Sequence, residues 1–196
     1  MRLWMIVEEP FLQALRTRGE LIADGRRVWR DFRHAYRWMA EQMGRRIGPP
    51  PRPRAYPLWA WAQWSGPNRR PDMRTGGHKP RGTQCYRLTL DVPQQQVVLS
   101  DFSDWHMVLN NGYLARSEAE ADAFDAELAA AGIPKLSRDY GAFTARVEAS
   151  WERVFDIDHA SLHPAWNGSP ETQSIQATFW RLGKDQVRKV ERFTAR

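Results

Sequence analysis

A proline-rich segment, Gly48–Pro57, is the feature that most constrains how this chain can fold. Five of its ten residues are proline, which lacks a backbone N–H and fixes φ, so the segment can be neither a helix nor a central strand. We therefore expect an extended connector. The residues before it predict an amphipathic helix whose core stripe, spaced by three and four residues, consists of Trp29, Phe32, Tyr36, Met39 and Met43.

Strand-like alternation is the second pattern. Leu58–Trp64 places Trp59, Trp61 and Gln63 on one face, and further short strands are predicted near the start of the chain, over 85–92, over 97–99 and over 175–182. About five helices lie between them without regular strand–helix alternation, which favours an α+β fold. We expect a single domain over residues 1–196, with a small mixed or antiparallel sheet of about five strands and about five helices packed around it.

Several protein classes are excluded at this stage. No apolar run approaches the ~20 residues that a membrane helix needs, and the opening residues do not resemble a signal peptide. Cys85 is the single cysteine, so no intramolecular disulfide is possible. The sequence predicts a soluble, cytoplasmic protein with no membrane partner.

Charge is distributed unevenly along the chain. Residues 1–90 carry 18 basic and 7 acidic side chains, whereas residues 91–196 carry 11 and 16. Almost all of the basic residues are arginine, which favours bidentate contacts with phosphate. A basic half of this kind is typical of nucleotide or nucleic-acid binding. A GC-rich genome, mutual attraction of the two halves, or an acidic protein partner would produce the same asymmetry.

The tryptophans support the same hypothesis. Trp59 and Trp61 alternate on one strand face, and aromatic rings on a sheet with arginines such as Arg30 and Arg37 nearby can hold bases and phosphates. Tryptophan at this density is, however, more often part of a core than a binding platform. The basic, glycine-rich segment Gly76–Gly82 could clamp a phosphate, or it could be a solvated loop.

Titratable residues cluster around one predicted helix start. Asp101 and Asp104 lie close in sequence to His106, with Asn110 one turn further on. Two carboxylates beside an imidazole can perform general acid–base work, whereas ordinary helix capping by aspartate is the alternative.

A histidine pair also has the spacing of metal ligands. His159 and His163 would stand one helical turn apart. Pro164 follows directly and the segment looks irregular, so we interpret both as surface histidines and predict no metal site.

Five motifs, in order along nearly the whole chain, resemble an uncharacterised bacterial family, domain of unknown function 3841. They are Leu3-Trp4-x-Ile6, the helix motif from Ala35 to Met43, Pro57-x-Trp59-Ala60-Trp61, the segment from Leu99 to Asn110, and Ile175-Gln176-Ala177-Thr178-Phe179-Trp180. Because the family name carries no activity, the resemblance implies no catalytic residue.

A weaker resemblance concerns the first strand and helix. Leu3-Trp4-x-Ile6, followed by Leu15-x-x-x-Gly19-x-Leu21, resembles the entry to ADP-ribosyltransferase-like folds, which bind NAD. That resemblance implies a cleft around Trp4, Tyr36, His106 and Gln176. Gln176 stands where those folds carry a catalytic glutamate. A glutamine can orient a substrate, but because its side chain is uncharged it cannot stabilise a cationic centre as a glutamate anion does.

We interpret the chain as a nucleotide- or nucleic-acid-binding domain with no established cofactor, whose Arg-rich, Trp-rich N-terminal half contacts the ligand. The candidate ligand-binding residues are Trp4, Tyr36, Trp59, Trp61, Arg30, Arg37, Asp101 and Asn110. One alternative is a NAD-consuming, ADP-ribosyltransferase-like enzyme with His106 and Gln176 as catalytic residues. Another is a protein–protein module of a toxin–antitoxin or defence system. Whether the protein is an enzyme is left open.

Overall fold

The structure is a computed structural model that describes residues 1–158 and 169–196. Its strands are β1 (Arg2–Glu8), β2 (Glu20–Asp24), β3 (Ala55–Tyr56), β4 (Leu58–Gln63), β5 (Gln84–Asp91), β6 (Val98–Asp101), β7 (Ile175–Phe179), β8 (Arg181–Gly183) and β9 (Val187–Thr194). Its α-helices are α1 (Glu9–Arg18), α2 (Arg33–Ile47), α3 (Phe102–Leu109), α4 (Glu118–Ala130) and α5 (Thr144–Ser150).

The strands form two antiparallel sheets. The larger has the order β6-β7-β4-β1-β5-β9, and the smaller has the order β3-β2-β8. This architecture confirms the predicted α+β class. There are more strands than expected because residues 20–24 form β2, and because the predicted strand over 175–182 divides into β7 and β8, the second of which pairs with β2. Residues 187–194 also add an edge strand, β9, to the larger sheet.

Each face of the larger sheet carries its own hydrophobic core. Side chains alternate between the faces of a strand, so Leu3, Met5 and Val7 of β1 point to one side, where they pack with Leu12 and Leu15 of α1. The opposite face is covered by α2, α3 and the segments that follow them. The tryptophans of β4 lie on this second face.

Local sequence signals account for both ends of helix α1. Glu9 and Pro10 occupy its first turn, and Gly19 ends it with a left-handed backbone (φ 76°) whose N–H donates to the Leu15 carbonyl. Glycine adopts this conformation without steric cost. After this tight end the chain continues directly into β2, so that Arg18 is the last residue of the helix and Glu20 the first of the strand.

The predicted core position of Trp29 is wrong. Helix α2 begins only at Arg33, after an extended residue at Trp29 (φ −56°, ψ 140°) and a 3₁₀ turn over Arg30–Phe32. Helical spacing therefore does not apply to the first members of the predicted stripe, and Trp29 is 74% exposed. Met39 and Met43, which lie inside the helix, are fully buried as predicted.

Two further observations concern only residues 1–158 and 169–196. No helix in these ranges has the length and apolar character needed to cross a membrane. Within the same ranges, no group of three or more His, Cys, Asp or Glu side chains could hold a metal ion. His159 and His163, the pair with metal-ligand spacing, lie outside the described residues.

Candidate ligand-binding groove

A groove of about 1350 Å³ is lined by residues of both sheets and of α1. Its walls come from the end of β1, from α1, from β2 and from the chain between β2 and α2, and the start of β4 closes its inner end. The volume exceeds the 300–1,000 Å³ typical of drug-sized ligand pockets. The groove therefore suits an extended ligand.

The groove is lined by five cationic and two anionic side chains, which are Arg18, Arg26, Arg27, Arg52 and Lys79 against Glu8 and Asp24. Two of the cations are neutralised locally: Arg26 contacts Asp24 at 2.6 Å, and Lys79 contacts Glu8 at 2.8 Å. The arginine lowers the pKa of the Asp24 carboxyl far below its usual range. Lys79 belongs to the glycine-rich loop that we considered as a phosphate clamp.

Three arginines of the groove have no carboxylate partner among the described residues, and one of them, Arg52, donates instead to the Ile22 carbonyl at 3.2 Å. The other two have neither a carboxylate nor a carbonyl partner in this part of the chain. They are Arg18, at the end of α1, and Arg27, in the turn that follows β2. A guanidinium that lacks an internal partner can form strong bidentate hydrogen bonds with an external carboxylate or phosphate. The groove therefore offers at least two anion contacts.

A stacked aromatic pair, formed by an exposed tryptophan and a half-buried phenylalanine, lines the same groove as these arginines. Trp29 and Phe32 both line the groove, and their rings are nearly parallel, with an interplanar angle of 11° and centroids 6.3 Å apart. Phe32 supports one side of the arrangement, while the indole is 74% exposed. A tryptophan held in this way is a suitable platform for stacking a base.

The inner end of the groove is formed by Tyr36 and Trp59. Trp59 packs against Trp105 of α3 with ring centroids 4.7 Å apart, and Tyr36 meets both indoles edge-on at 5.7 and 5.9 Å. Burial raises the pKa of the Tyr36 hydroxyl. Because its neighbours already occupy much of its ring, Trp59 serves as a wall of the groove.

A row of side chains crosses the larger sheet beyond this wall. Trp4 lies opposite Trp61, Trp61 opposite Gln176, and Gln176 opposite Ser100. Antiparallel partners share a sheet face, so all four point to the side covered by α3. Trp61 is enclosed by Trp64 and Phe102, with ring centroids at 4.4 and 4.8 Å.

Within residues 1–158 and 169–196, three buried polar atoms on this face have no hydrogen-bond partner: Trp59 Nε1, Ser100 Oγ and Gln176 Oε1. Buried polar groups in folded proteins are nearly always paired, so each exception requires an explanation. These three are unusual because they belong to neighbouring strands of one sheet face.

The cluster at the start of α3 performs helix capping. Asp101 Oδ1 accepts the backbone N–H groups of Ser103 and Asp104 at 2.7 and 3.1 Å. His106 is exposed, with Nδ1 2.8 Å from the Phe102 carbonyl oxygen, and Asn110 Nδ2 donates to the His106 carbonyl at 2.7 Å. These hydrogen bonds are all local to the helix.

Asp104 is the perturbed acid of this cluster. Burial raises the pKa of its carboxyl to about 7, and the nearby charges of Asp101 and Asp156 act in the same direction. A carboxyl with this pKa can both hold and release a proton at neutral pH.

The predicted site residues therefore fall into four places. Tyr36 and Trp59 line the groove, and Trp4, Trp61 and Gln176 form the row on the sheet. His106 lies in α3, and Asp101 and Asn110 cap the two ends of that helix. Arg30 and Arg37 are exposed and outside the groove lining. Their roles in binding or catalysis stay predictions. Sequence reasoning missed Arg18 and the exposure of Trp29, although an indole between arginines directly after an Asp-Gly turn is an available signal.

Comparison with known proteins gives one match. A family model described as "Domain of unknown function (DUF3841)" matches residues 2–188 of the chain. Searches of the curated proteins and of the solved structures found no match.

Proposed function

Since the chain belongs to the DUF3841 family, whose description states no activity, we propose a function from the groove alone: the protein binds a nucleotide or a single-stranded nucleic acid there. The observation that supports this most directly is that the exposed indole of Trp29 lines the same groove as two arginines, Arg18 and Arg27, that have no carboxylate partner among the described residues. Stacking and phosphate contacts are the two interactions that sequence-tolerant binding of such ligands requires.

A bound ligand would explain why the apolar Trp29 ring is left exposed to water, although this exposure costs free energy. A large apolar ring gains free energy when it is covered, and its position on the groove wall means that a bound base would cover it. Arg18 and Arg27 come from different elements that border the same groove. A ligand that stacks on Trp29 would therefore carry its phosphates past these guanidinium groups.

We expect Trp29→Ala and Arg27→Gln each to weaken binding of a labelled single-stranded oligonucleotide by about five- to tenfold at low salt. The stacking of one base contributes ~1–3 kcal/mol. Loss of one phosphate contact should also reduce the slope of log affinity against log salt by about 0.7. Fluorescence anisotropy across a salt series measures both quantities, and ADP serves as the mononucleotide probe.

Arg45→Gln is the matched control, because Arg45 is exposed on α2 but lies outside the groove lining. Its affinity should stay near that of the wild type. Arg37→Gln tests whether the phosphate path continues along α2. Equal losses for all three arginine variants would indicate non-specific attraction, and equal binding of polyglutamate would favour an acidic protein partner. Absence of binding at low salt would exclude the proposal.

The NAD-consuming alternative is favoured by one observation, the Asp104 carboxyl whose pKa of about 7 suits general acid–base chemistry. This alternative requires turnover. Nicotinamide release from NAD by the purified protein, and its loss in His106→Ala or Gln176→Ala, would replace the binding function by an enzymatic one.

A further inference from the structure

The unpartnered polar atoms on the larger sheet form a compact group. Ser100 on β6 and Gln176 on β7 are direct cross-strand partners, and Trp59 on β4 lies opposite Thr178, one step along the same face. Direct partners have Cβ atoms ≈ 4.5–5.5 Å apart, and diagonal neighbours lie within ≈ 7–8 Å. One small planar molecule could therefore contact all three side chains.

Burial makes these groups costly to keep. Ser100 is fully buried and Gln176 is 9% exposed, and the side-chain oxygen atoms of both have no hydrogen-bond partner in the part of the chain that the structure describes. An apolar side chain of similar size would avoid this penalty. Residues that lower stability without a packing reason are characteristic of functional sites.

We propose that Trp59 Nε1, Ser100 Oγ and Gln176 Oε1 form a recognition site for the edge of a planar ring that carries adjacent carbonyl and N–H groups. The indole N–H donates to the carbonyl, the glutamine oxygen accepts from the N–H, and the serine hydroxyl can do either. A nucleobase and an aromatic carboxamide both present a carbonyl group next to an N–H group in this way. The inference rests on the proposed function, because Trp59 also lines the groove.

Trp59 connects the two regions. Its ring is half-buried in the groove wall, whereas its Nε1 atom is buried. A ring that enters from the groove must therefore displace the Trp59 indole from its contact with Trp105. Binding should consequently change the tryptophan fluorescence of the protein.

The test combines stability with affinity. Gln176→Met and Ser100→Ala remove unpartnered groups, so the melting temperature without ligand should stay level or rise. Thr178→Val is the matched control on the same face, because the Thr178 hydroxyl donates to the Val98 carbonyl at 3.4 Å. Its loss should lower the melting temperature and leave affinity unchanged. A lower melting temperature for Gln176→Met, similar to that of Thr178→Val, would overturn the inference.

Affinity is measured with two phosphate-free probes, uridine for the nucleobase and nicotinamide for the carboxamide, by calorimetry and tryptophan fluorescence. We expect Gln176→Met and Trp59→Phe to weaken binding of the preferred probe at least tenfold. The probe that binds with the higher affinity shows whether the site recognises a nucleobase or a carboxamide.

The two proposals fail separately. Oligonucleotide binding that depends on Arg27 but not on Gln176, with no binding of either phosphate-free probe, would leave the groove function and overturn the recognition site. Conversely, probe binding could depend on Gln176 while Arg27→Gln leaves the binding of oligonucleotide and ADP unchanged. That result would support the recognition site and overturn the proposed groove function. No binding of any probe would overturn both.

Discussion

Replacing Glu191 by alanine is expected to lower the free energy of unfolding by roughly 3–5 kcal/mol, the range for leaving one member of a buried ion pair alone. The Arg87 side chain is 3% exposed, and its guanidinium contacts Glu191 Oε2 at 2.8 Å. The same guanidinium donates to the Pro71 carbonyl at 2.6 Å. Without Glu191, this buried charge would lose its carboxylate and the segment around Pro71 would lose a rigid anchor.

Glu152→Ala is the control for this prediction. The Arg46–Glu152 pair has a similar distance, 2.7 Å, but its side chains are 41% and 43% exposed, so its loss should change stability by less than about 1 kcal/mol. Urea denaturation measures both variants. If Arg87→Met combined with Glu191→Leu restores most of the lost stability, the penalty belongs to the stranded charge. Equal, small losses in both alanine variants would show that water reaches Arg87.

The Arg87–Glu191 pair makes the free energy of unfolding depend on pH. Lys189 and Arg87 lower the pKa of Glu191 to about 2 from an ordinary value of 4.5. A lowered pKa in the folded state means that the contribution is complete above pH 4.5 and is lost as the pH falls towards 2. The stability difference between wild type and Glu191→Ala should therefore shrink in acid.

Asp104→Asn should raise the free energy of unfolding at neutral and alkaline pH, whereas Glu191→Ala should lower it. Because the pKa of Asp104 rises from 3.8 to about 7 on folding, the folded protein binds the proton more tightly than the unfolded chain. The wild type therefore loses stability as the pH rises from 3.8 through about 7. Asparagine cannot ionise, so the variant should be more stable than the wild type above pH 7, by roughly 2–4 kcal/mol.

The measurement is the free energy of unfolding of both proteins between pH 4 and pH 9. The two curves should lie close together near pH 4 and separate as the pH increases. Parallel curves over the whole range would contradict a raised pKa, and they would remove the observation that favours acid–base chemistry at α3.

Local rules made much of the fold predictable. The termination of α1 at Gly19, the capping of α3 by Asp101 and the capping of α4 by Ser117 follow from chemistry within a few residues. The alternation of β4 correctly placed Trp59 and Trp61 on one face, because the side-chain period of a strand does not depend on its partners.

The groove depends on contacts that a single sequence does not reveal. Its smaller sheet exists because β2 pairs with β8, and both strands are too short to signal this pairing. Trp29 was misplaced because its spacing from Phe32 fits a helix that begins only four residues later. The hydrophobic period of a strand or helix can be read from its own residues, whereas the segment that it pairs or packs with depends on the fold of the whole chain.

The strand order has a consequence for how quickly the protein reaches its native state. In the described part of the larger sheet, β6 and β7 are the only neighbouring strands that are also consecutive strands of the chain, and helices α3, α4 and α5 lie between them. The other pairings join strands that are not consecutive, such as Trp4 with Trp61 and Leu58 with Phe179. No tight hairpin can therefore seed this sheet. Each pairing must first close a long loop, and chains dominated by such distant contacts refold over milliseconds to seconds. Exposed strand edges thus persist during refolding, when association between chains competes with the native pairing.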